Sequence, residues 1–186
     1  MQASAGLLEG VVLLSPKVFG DQRGWFIETY NHRVLREFGI HATFVQDNHS
    51  YSAKRGTLRG LHLQRAPLSQ AKLIRCIRGS ILDVVVDLRP NSPTYRQWMQ
   101  ENLSEENKKQ IFIPKGFAHG FVTLTDHVEI QYKVDAYYSP EHELAIRYDD
   151  PELGIDWGVE SPTLSGKDSQ APFLHELPTN LWSNHE

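Results

Sequence analysis

Short apolar runs, broken by glycine and proline every 8–12 residues or so, recur along this chain and limit what it can fold into. Such runs cover residues 7–14, 25–30, 43–50, 72–78, 81–88, 95–103, 110–113, 118–124 and 127–134. Most are rich in β-branched and aromatic residues, which suit a pleated, half-buried surface. Turn chemistry separates them, as in Gly20-Asp21-Gln22-Arg23-Gly24, Lys54-Arg55-Gly56, Pro90-Asn91-Ser92-Pro93 and Pro114-Lys115-Gly116. Residues 31–38 carry the clearest helical pattern. Asn31 can cap it, Val34, Leu35 and Phe38 share a face, and Gly39 stops it. Ser165-Gly166-Lys167-Asp168 resembles a second helix start. The pattern predicts an all-β sandwich or barrel, an architecture able to enclose a small-ligand cavity. Gly79-Ser80 reads as a hairpin turn joining the runs on either side, and the runs 118–124 and 127–134 read as a second hairpin.

The 186 residues fit a single domain, with a loop-rich C-terminal tail carrying Pro140, Pro151, Pro162, Pro172 and Pro178. A net charge of −4 gives no general pull toward nucleic acid or an anionic membrane, so an anionic ligand needs a local cluster of cations. Cys76, the one cysteine, excludes an internal disulfide. Its neighbours Ile74 and Ile77 suggest a reduced, packed thiol and hence a cytoplasmic address. Residues 1–10 lack a basic region ahead of an apolar run, so no signal peptide is expected. No apolar run approaches the roughly 20 residues of a membrane span.

Leu58-Arg59-Gly60-Leu61-His62-Leu63-Gln64 is the stretch most suggestive of chemistry. A histidine between leucines on a strand is either a packed, hydrogen-bonded core residue or a functional one. Arg59 and His62, three apart, face opposite sides of a regular strand. If both serve one pocket, the strand must bulge at Gly60 or Arg59 must sit at the rim. Along residues 127–134, Val128, Ile130, Tyr132 and Val134 share a face, which points Tyr132 inward. It is then either a core tyrosine bonded to backbone or a phenol able to exchange a proton. His119, sharing a face with Phe121, is a packed histidine or a ligand contact. Asp168 is either a helix N-terminal carboxylate or the partner that orients a histidine. Arg23, Arg59, Lys72 and Arg75 flank the predicted pocket strands and hint at a phosphate site. Where a metal site often has a second histidine two residues on, this chain has Gln64, which disfavours metal. His32, His41, His142, His175 and His185 sit in polar or loop contexts and read as solvated. No phosphate-binding glycine loop, dinucleotide fingerprint or nucleophile elbow is present.

Five segments in order then resemble one family. They are residues 16–24, Phe44-Val45-Gln46-Asp47-Asn48-His49-Ser50, Leu58-Arg59-Gly60-Leu61-His62, residues 113–121 and Leu164-Ser165-Gly166-Lys167-Asp168. Together they are similar to the dTDP-4-dehydrorhamnose 3,5-epimerase family, from about Leu7 to Phe173. The resemblance implies a cupin-type jelly-roll barrel, a homodimer, and no metal or organic cofactor. It implies inversion at C3 and C5 of dTDP-4-dehydro-6-deoxy-D-glucose, with His62 as base, Asp168 as its partner and Tyr132 as acid. Arg23, Glu28, Gln46, Asn48, Arg59, Lys72, His119, Tyr138, Glu143 and Lys167 fall on its substrate-contacting positions. Leu63 departs from it, standing where an aromatic is common. The chemistry of the residue types agrees. Both carbons are α to a ketone, so inversion needs a base and an acid on opposite faces and a cation or donor for the enolate oxygen, the role given to Lys72. A single-centre epimerase, a non-catalytic sugar-nucleotide binder and a metal-dependent oxygenase are the alternatives.

Overall fold

The computed structural model describes residues 1–178 and is built of antiparallel strands. One sheet has six strands in the order β1 (Gln2–Ala5), β2 (Val12–Ser15), β10 (Gln110–Ile113), β7 (Lys72–Arg78), β12 (Val128–Val134) and β5 (Gln46–Ser52). The second has five, in the order β13 (Glu143–Ala145), β6 (Leu58–Gln64), β11 (Phe117–Thr123), β8 (Ser80–Asp87) and β9 (Trp98–Ser104). The sheets pack face to face as a jelly-roll sandwich. A separate two-stranded arm, β3 (Val18–Asp21) and β4 (Gly24–Ile27), carries exposed Val18, Phe19, Trp25 and Phe26. Helix α1 (His32–Glu37) is capped as its sequence predicts, the Asn31 side chain accepting from the Arg33 and Val34 amides. Helix α2 (Gly166–Ser169) starts at Ser165, whose Oγ accepts from the Asp168 amide. Among the described residues no helix is long and apolar enough to cross a membrane. His185 lies outside the described residues.

Three apolar layers follow from strand alternation. Ile74, Cys76, Ile81, Val85, Phe117, Phe121 and Ile130 meet between the sheets. Leu58, Leu61, Val84, Val86 and Val122 point outward from the five-stranded sheet and are covered by Ile146, Leu153, Trp157 and Leu174 of the tail. Leu14, Leu73 and Phe112 on the outside of the other sheet are covered by Leu35 and Ile40.

Two predicted hairpins do not exist. β7 and β8 abut at Gly79 yet lie in different sheets, and so do β11 and β12. Each turn carries the chain across the sandwich instead of folding a strand back on itself. A glycine turn serves either purpose, and strand alternation is the same in both, so local sequence does not separate them. The first strand is also shorter than predicted, running from Val12, because residues 6–11 turn back to let β1 pair with β2. The strand predicted from Tyr95 begins at Trp98.

The predicted irregularity at Gly60 is present. His119 pairs with His62 and Phe121 with Arg59, so three steps on β6 oppose two on β11. That extra residue is a bulge. It lets Leu58 and Leu61 share the outer face while Arg59 and His62 share the inner one. Gly60 has φ +115, and a Cβ there would lie 2.6 Å from Gly120 Cα and 2.7 Å from the His119 carbonyl. Gly60→Ala is therefore expected to lower stability by about 2–4 kcal/mol in urea titration. Gly20→Ala, whose Cβ meets only a carbonyl at 3.7 Å, should stay within about 0.5 kcal/mol.

A second consequence of the fold is an acid sealed at the end of β8. The Asp87 carboxylate accepts from the Arg89 amide and guanidinium and from the Ser92 and Thr94 hydroxyls. Burial opposes its ionisation, but those donors outweigh it and hold the carboxyl down to about 2. Because the folded value is the lower one, this contribution to stability is present above the ordinary carboxylate range and is lost as pH falls toward 2. Asp87→Asn should lower the melting temperature at pH 7, with the gap to the parent chain closing as pH drops from 4 to 2.

Candidate active site

A cavity of about 460 Å³ opens between the sheets. Its floor and walls bring together His62, Arg59 and His119 from the five-stranded sheet and Lys72 and Tyr132 from the six-stranded one. Asp168 and Lys167 close it from α2. A second cavity of about 200 Å³ shares His62, Lys72 and Tyr132 and extends to Gln46, Asn48, Tyr138 and Glu143.

His62 stands where β6 is flanked on both sides, its backbone opposite His119 on β11 and Ala145 on β13. Its Nε2 lies 2.6 Å from Asp168 Oδ1. The other carboxylate oxygen accepts from Ser165 Oγ at 2.8 Å. The tail reaches this point because Thr163 is stitched to the start of β6, exchanging backbone bonds with Gly56 and Leu58. Burial works against charge on Asp168, which is 3% exposed, but the His62 and Ser165 bonds prevail and its pKa is lowered. A carboxylate only accepts, so it fixes the proton of neutral His62 on Nε2 and leaves Nδ1 with a free lone pair.

On the facing sheet, burial pushes the Tyr132 phenol up, with the Glu143 charge adding and Arg59 opposing. Tyr132 is thus held in its protonated form, able to donate. Lys72 is 8% exposed. Desolvation pulls its ammonium down to about 8, against the charges of Asp83 and Glu143. A lysine so buried is costly unless its donors find acceptors, and the cavity is where a ligand would supply them. Arg59 sits at the rim, donating to Ser52 Oγ and to the Tyr51 carbonyl.

At the far end, Tyr138, Glu143, Lys167, Gln46 and Asn48 form two linked polar groups. Glu143 Oε2 accepts from the Tyr138 hydroxyl at 2.6 Å and pairs with Lys167 Nζ at 2.5 Å. Gln46 donates to Asn48 Oδ1 and accepts from the Tyr138 amide. Tyr138 itself is exposed and offers a ring face at the mouth.

Not every predicted residue joins the cavity. Arg23 is on the arm, its side chain 85% exposed and paired with Asp21. Glu28 lines a different depression, with Tyr30, Arg75 and Gln131, on the outer side of the six-stranded sheet. Arg75, three residues from Lys72, faces that outer side and binds Gln131 Oε1. Gln64 serves structure, bonding the Leu68 and Tyr137 carbonyls and the Ser139 amide. Among the described residues no group of three or more His, Cys, Asp or Glu converges as a metal site would require. A buried group bonded to a residue of the cavity wall escaped the sequence reading: Asp83, whose Oδ2 lies 2.8 Å from His119 Nε2. An acid between Leu82 and Val84 in an otherwise apolar strand was the available signal.

Known proteins share this architecture. The family described as dTDP-4-dehydrorhamnose 3,5-epimerase matches residues 6–176. An enzyme of that name from Salmonella typhimurium is 52% identical over 168 residues, covering 89% of this chain and 91% of its own. The crystal structure of the Bacillus anthracis enzyme with TDP and PPi bound is 50% identical, with a TM-score of 0.91, over 93% of this chain and 99% of that one. A Legionella pneumophila dTDP-6-deoxy-D-glucose-3,5-epimerase in complex with dTDP-4-keto-L-rhamnose is 42% identical, with a TM-score of 0.93, over 100% and 98% of the two chains. With a matched span that runs from the turn before β2 into the tail and takes in both walls of the cavity, this chain belongs to the dTDP-4-dehydrorhamnose 3,5-epimerase family.

Proposed function

We propose that this chain inverts C3 and C5 of dTDP-4-dehydro-6-deoxy-D-glucose to give dTDP-4-dehydro-L-rhamnose. The observation that carries the reading is the His62–Asp168 pair on one wall of a cavity whose other wall holds Tyr132 and Lys72. In a sandwich the two sheets face opposite sides of whatever lies between them. A sugar ring there meets a base on one face and an acid on the other, which is what inversion demands.

His62 Nδ1 takes the proton from the carbon α to the C4 ketone, and the C–H electron pair moves into an enolate on O4. The imidazolium that forms is stabilised by Asp168. Lys72 donates to O4 as its charge develops, a contact stronger in the enolate than in the ketone. Tyr132 then gives its proton to the same carbon from the opposite face, leaving a phenolate. Solvent restores both groups before the second centre reacts. Arg59 and Lys167 suit the diphosphate, and Tyr138 with Gln46 and Asn48 suits the thymine. His119 and Glu143 contact the sugar.

The exposed apolar arm supports a homodimer in which a second copy covers it. That arrangement also gives Arg23 and Glu28, which stand outside their own cavity, a route to the site of the other copy.

Incubation with the substrate in heavy water, followed by NMR, tests the chemistry. Deuterium at both C3 and C5 is expected; incorporation at one carbon alone identifies a single-centre enzyme. His62→Ala should lower exchange by about 10²–10⁴-fold with its circular dichroism unchanged, and near-normal turnover would remove His62 from its role. Tyr132→Phe should still wash deuterium into the substrate while net inversion falls. Sedimentation should give twice the 21.3 kDa chain mass, and Phe26→Glu on the arm should yield monomers of much lower activity. A fully active monomer contradicts the dimer.

A further inference from the structure

Four buried acids invite comparison. Asp87 has both oxygens saturated by Arg89, Ser92 and Thr94. Asp150 divides its two between the Glu152 and Leu153 amides and the Leu174 amide. Asp168 divides its two between His62 and Ser165. Asp83 is different. It is 0% exposed, Oδ2 meets His119 Nε2, and Oδ1 has no hydrogen-bond partner among the described residues. It occupies an inward position on β8 between Ile81 and Val85, both members of the apolar layer between the sheets. An apolar residue there would fill the same layer without a desolvation cost. Half-satisfied buried acids are poor structural elements, so the carboxylate calls for another account.

Two neighbours supply one. His119 is 8% exposed, lines the cavity, and lies beside Phe121, the two rings tilted with centroids 6.5 Å apart. Desolvation lowers its pKa in spite of Asp83, so it is neutral near pH 7. A neutral imidazole bonded to a carboxylate through Nε2 carries its proton there, and Nδ1 becomes an acceptor. The second neighbour is Lys72, on which the charge of Asp83 is the foremost influence favouring the ammonium.

We infer that Asp83 is a positioning residue of this site: one oxygen fixes the tautomer of His119, and the carboxylate, its other oxygen unpaired, sets a negative charge behind the cavity that His119 lines together with Lys72. The inference rests on the epimerase reading for the purpose of Lys72 but not for the tautomer. His119 so held accepts a hydrogen bond from a sugar hydroxyl and repels a phosphate oxygen, which assigns it to the sugar end of the substrate. Lys72 so held remains a charged donor for O4 in a place where burial would otherwise neutralise it.

Other charges around Lys72 come from every wall. His62 and Arg59 face it from β6 and His119 from β11; Tyr132 lies beside it on β12. Glu143 on β13 favours its charge, while Lys167 and Asp168 of α2 close the same cavity. Of these, Glu143 is already engaged by Lys167 and Tyr138. That leaves Asp83 as the acid whose free oxygen is not committed elsewhere.

Asp83→Asn keeps the shape and removes the charge. The pH profile of deuterium exchange in the parent chain should fall on the alkaline side near 8, as Lys72 loses its proton. In Asp83→Asn that limb should move down by about one pH unit, lowering kcat more than it raises KM. Nitrogen-15 NMR of the His119 ring should find the proton on Nε2 in the parent chain and a mixture of tautomers in the variant. Asp87→Asn should leave both readouts unchanged. An unmoved limb together with an unchanged tautomer in Asp83→Asn overturns the inference. So does a parent His119 protonated on Nδ1, a result that needs no variant to fold. A parent chain that exchanges neither C3 nor C5 defeats the epimerase reading instead, and the NMR readout still decides Asp83.

Discussion

Two backbones touch at Gly60 and Gly120 with no side chain between them, and the site depends on that contact. A Cβ on Gly120 would meet the Arg59 carbonyl at 2.9 Å, just as one on Gly60 meets β11. The close approach accommodates the extra residue of β6, and the extra residue turns Arg59 and His62 to the same side. Without it, strand alternation would bury one of them in the outer layer among Leu58, Leu61 and the tail. A single residue of register therefore separates a cavity with both an imidazole and a guanidinium from one with only half of that chemistry.

The sandwich supplies a dry interior, and a dry interior penalises every charge placed in it. Lys72, His119 and Asp168 all feel that penalty, and each is offset differently. Asp168 is fully bonded and retains its charge. His119 gives up its charge and becomes neutral. Lys72 is left between, shifted but still able to carry its proton. Such graded responses in one enclosed space are what allow acid and base chemistry to proceed side by side near neutral pH.

Much of this was legible in the sequence, for identifiable reasons. The alternation of residues 127–134 turned Tyr132 inward, and the Asn31 and Ser165 caps formed as their residue types dictate. The three-residue spacing of Arg59 and His62 even required either a bulge at Gly60 or an Arg59 at the rim, and the register shift supplies the bulge. What escaped was non-local. Whether a glycine turn folds a strand back or sends it across to the other sheet depends on partners far along the chain, and both predicted hairpins failed on that point. Arg75 was grouped with Lys72 although odd spacing put them on opposite faces. Asp83 went unnoticed because an acid within an apolar strand gains meaning only when His119 and Lys72 arrive beside it from other strands.

His62 and the carboxylate bonded to it are 106 residues apart in sequence. The sheets that form the cavity are complete in outline by Ala145, whereas Asp168 arrives on a tail that covers the back of one sheet before reaching the opening. During synthesis every strand of the two sheets is therefore made before the carboxylate that fixes the tautomer of His62. The His62–Asp168 pair forms only once α2 has been made and has docked at the opening, and the same tail must first cover the outer apolar layer of the five-stranded sheet.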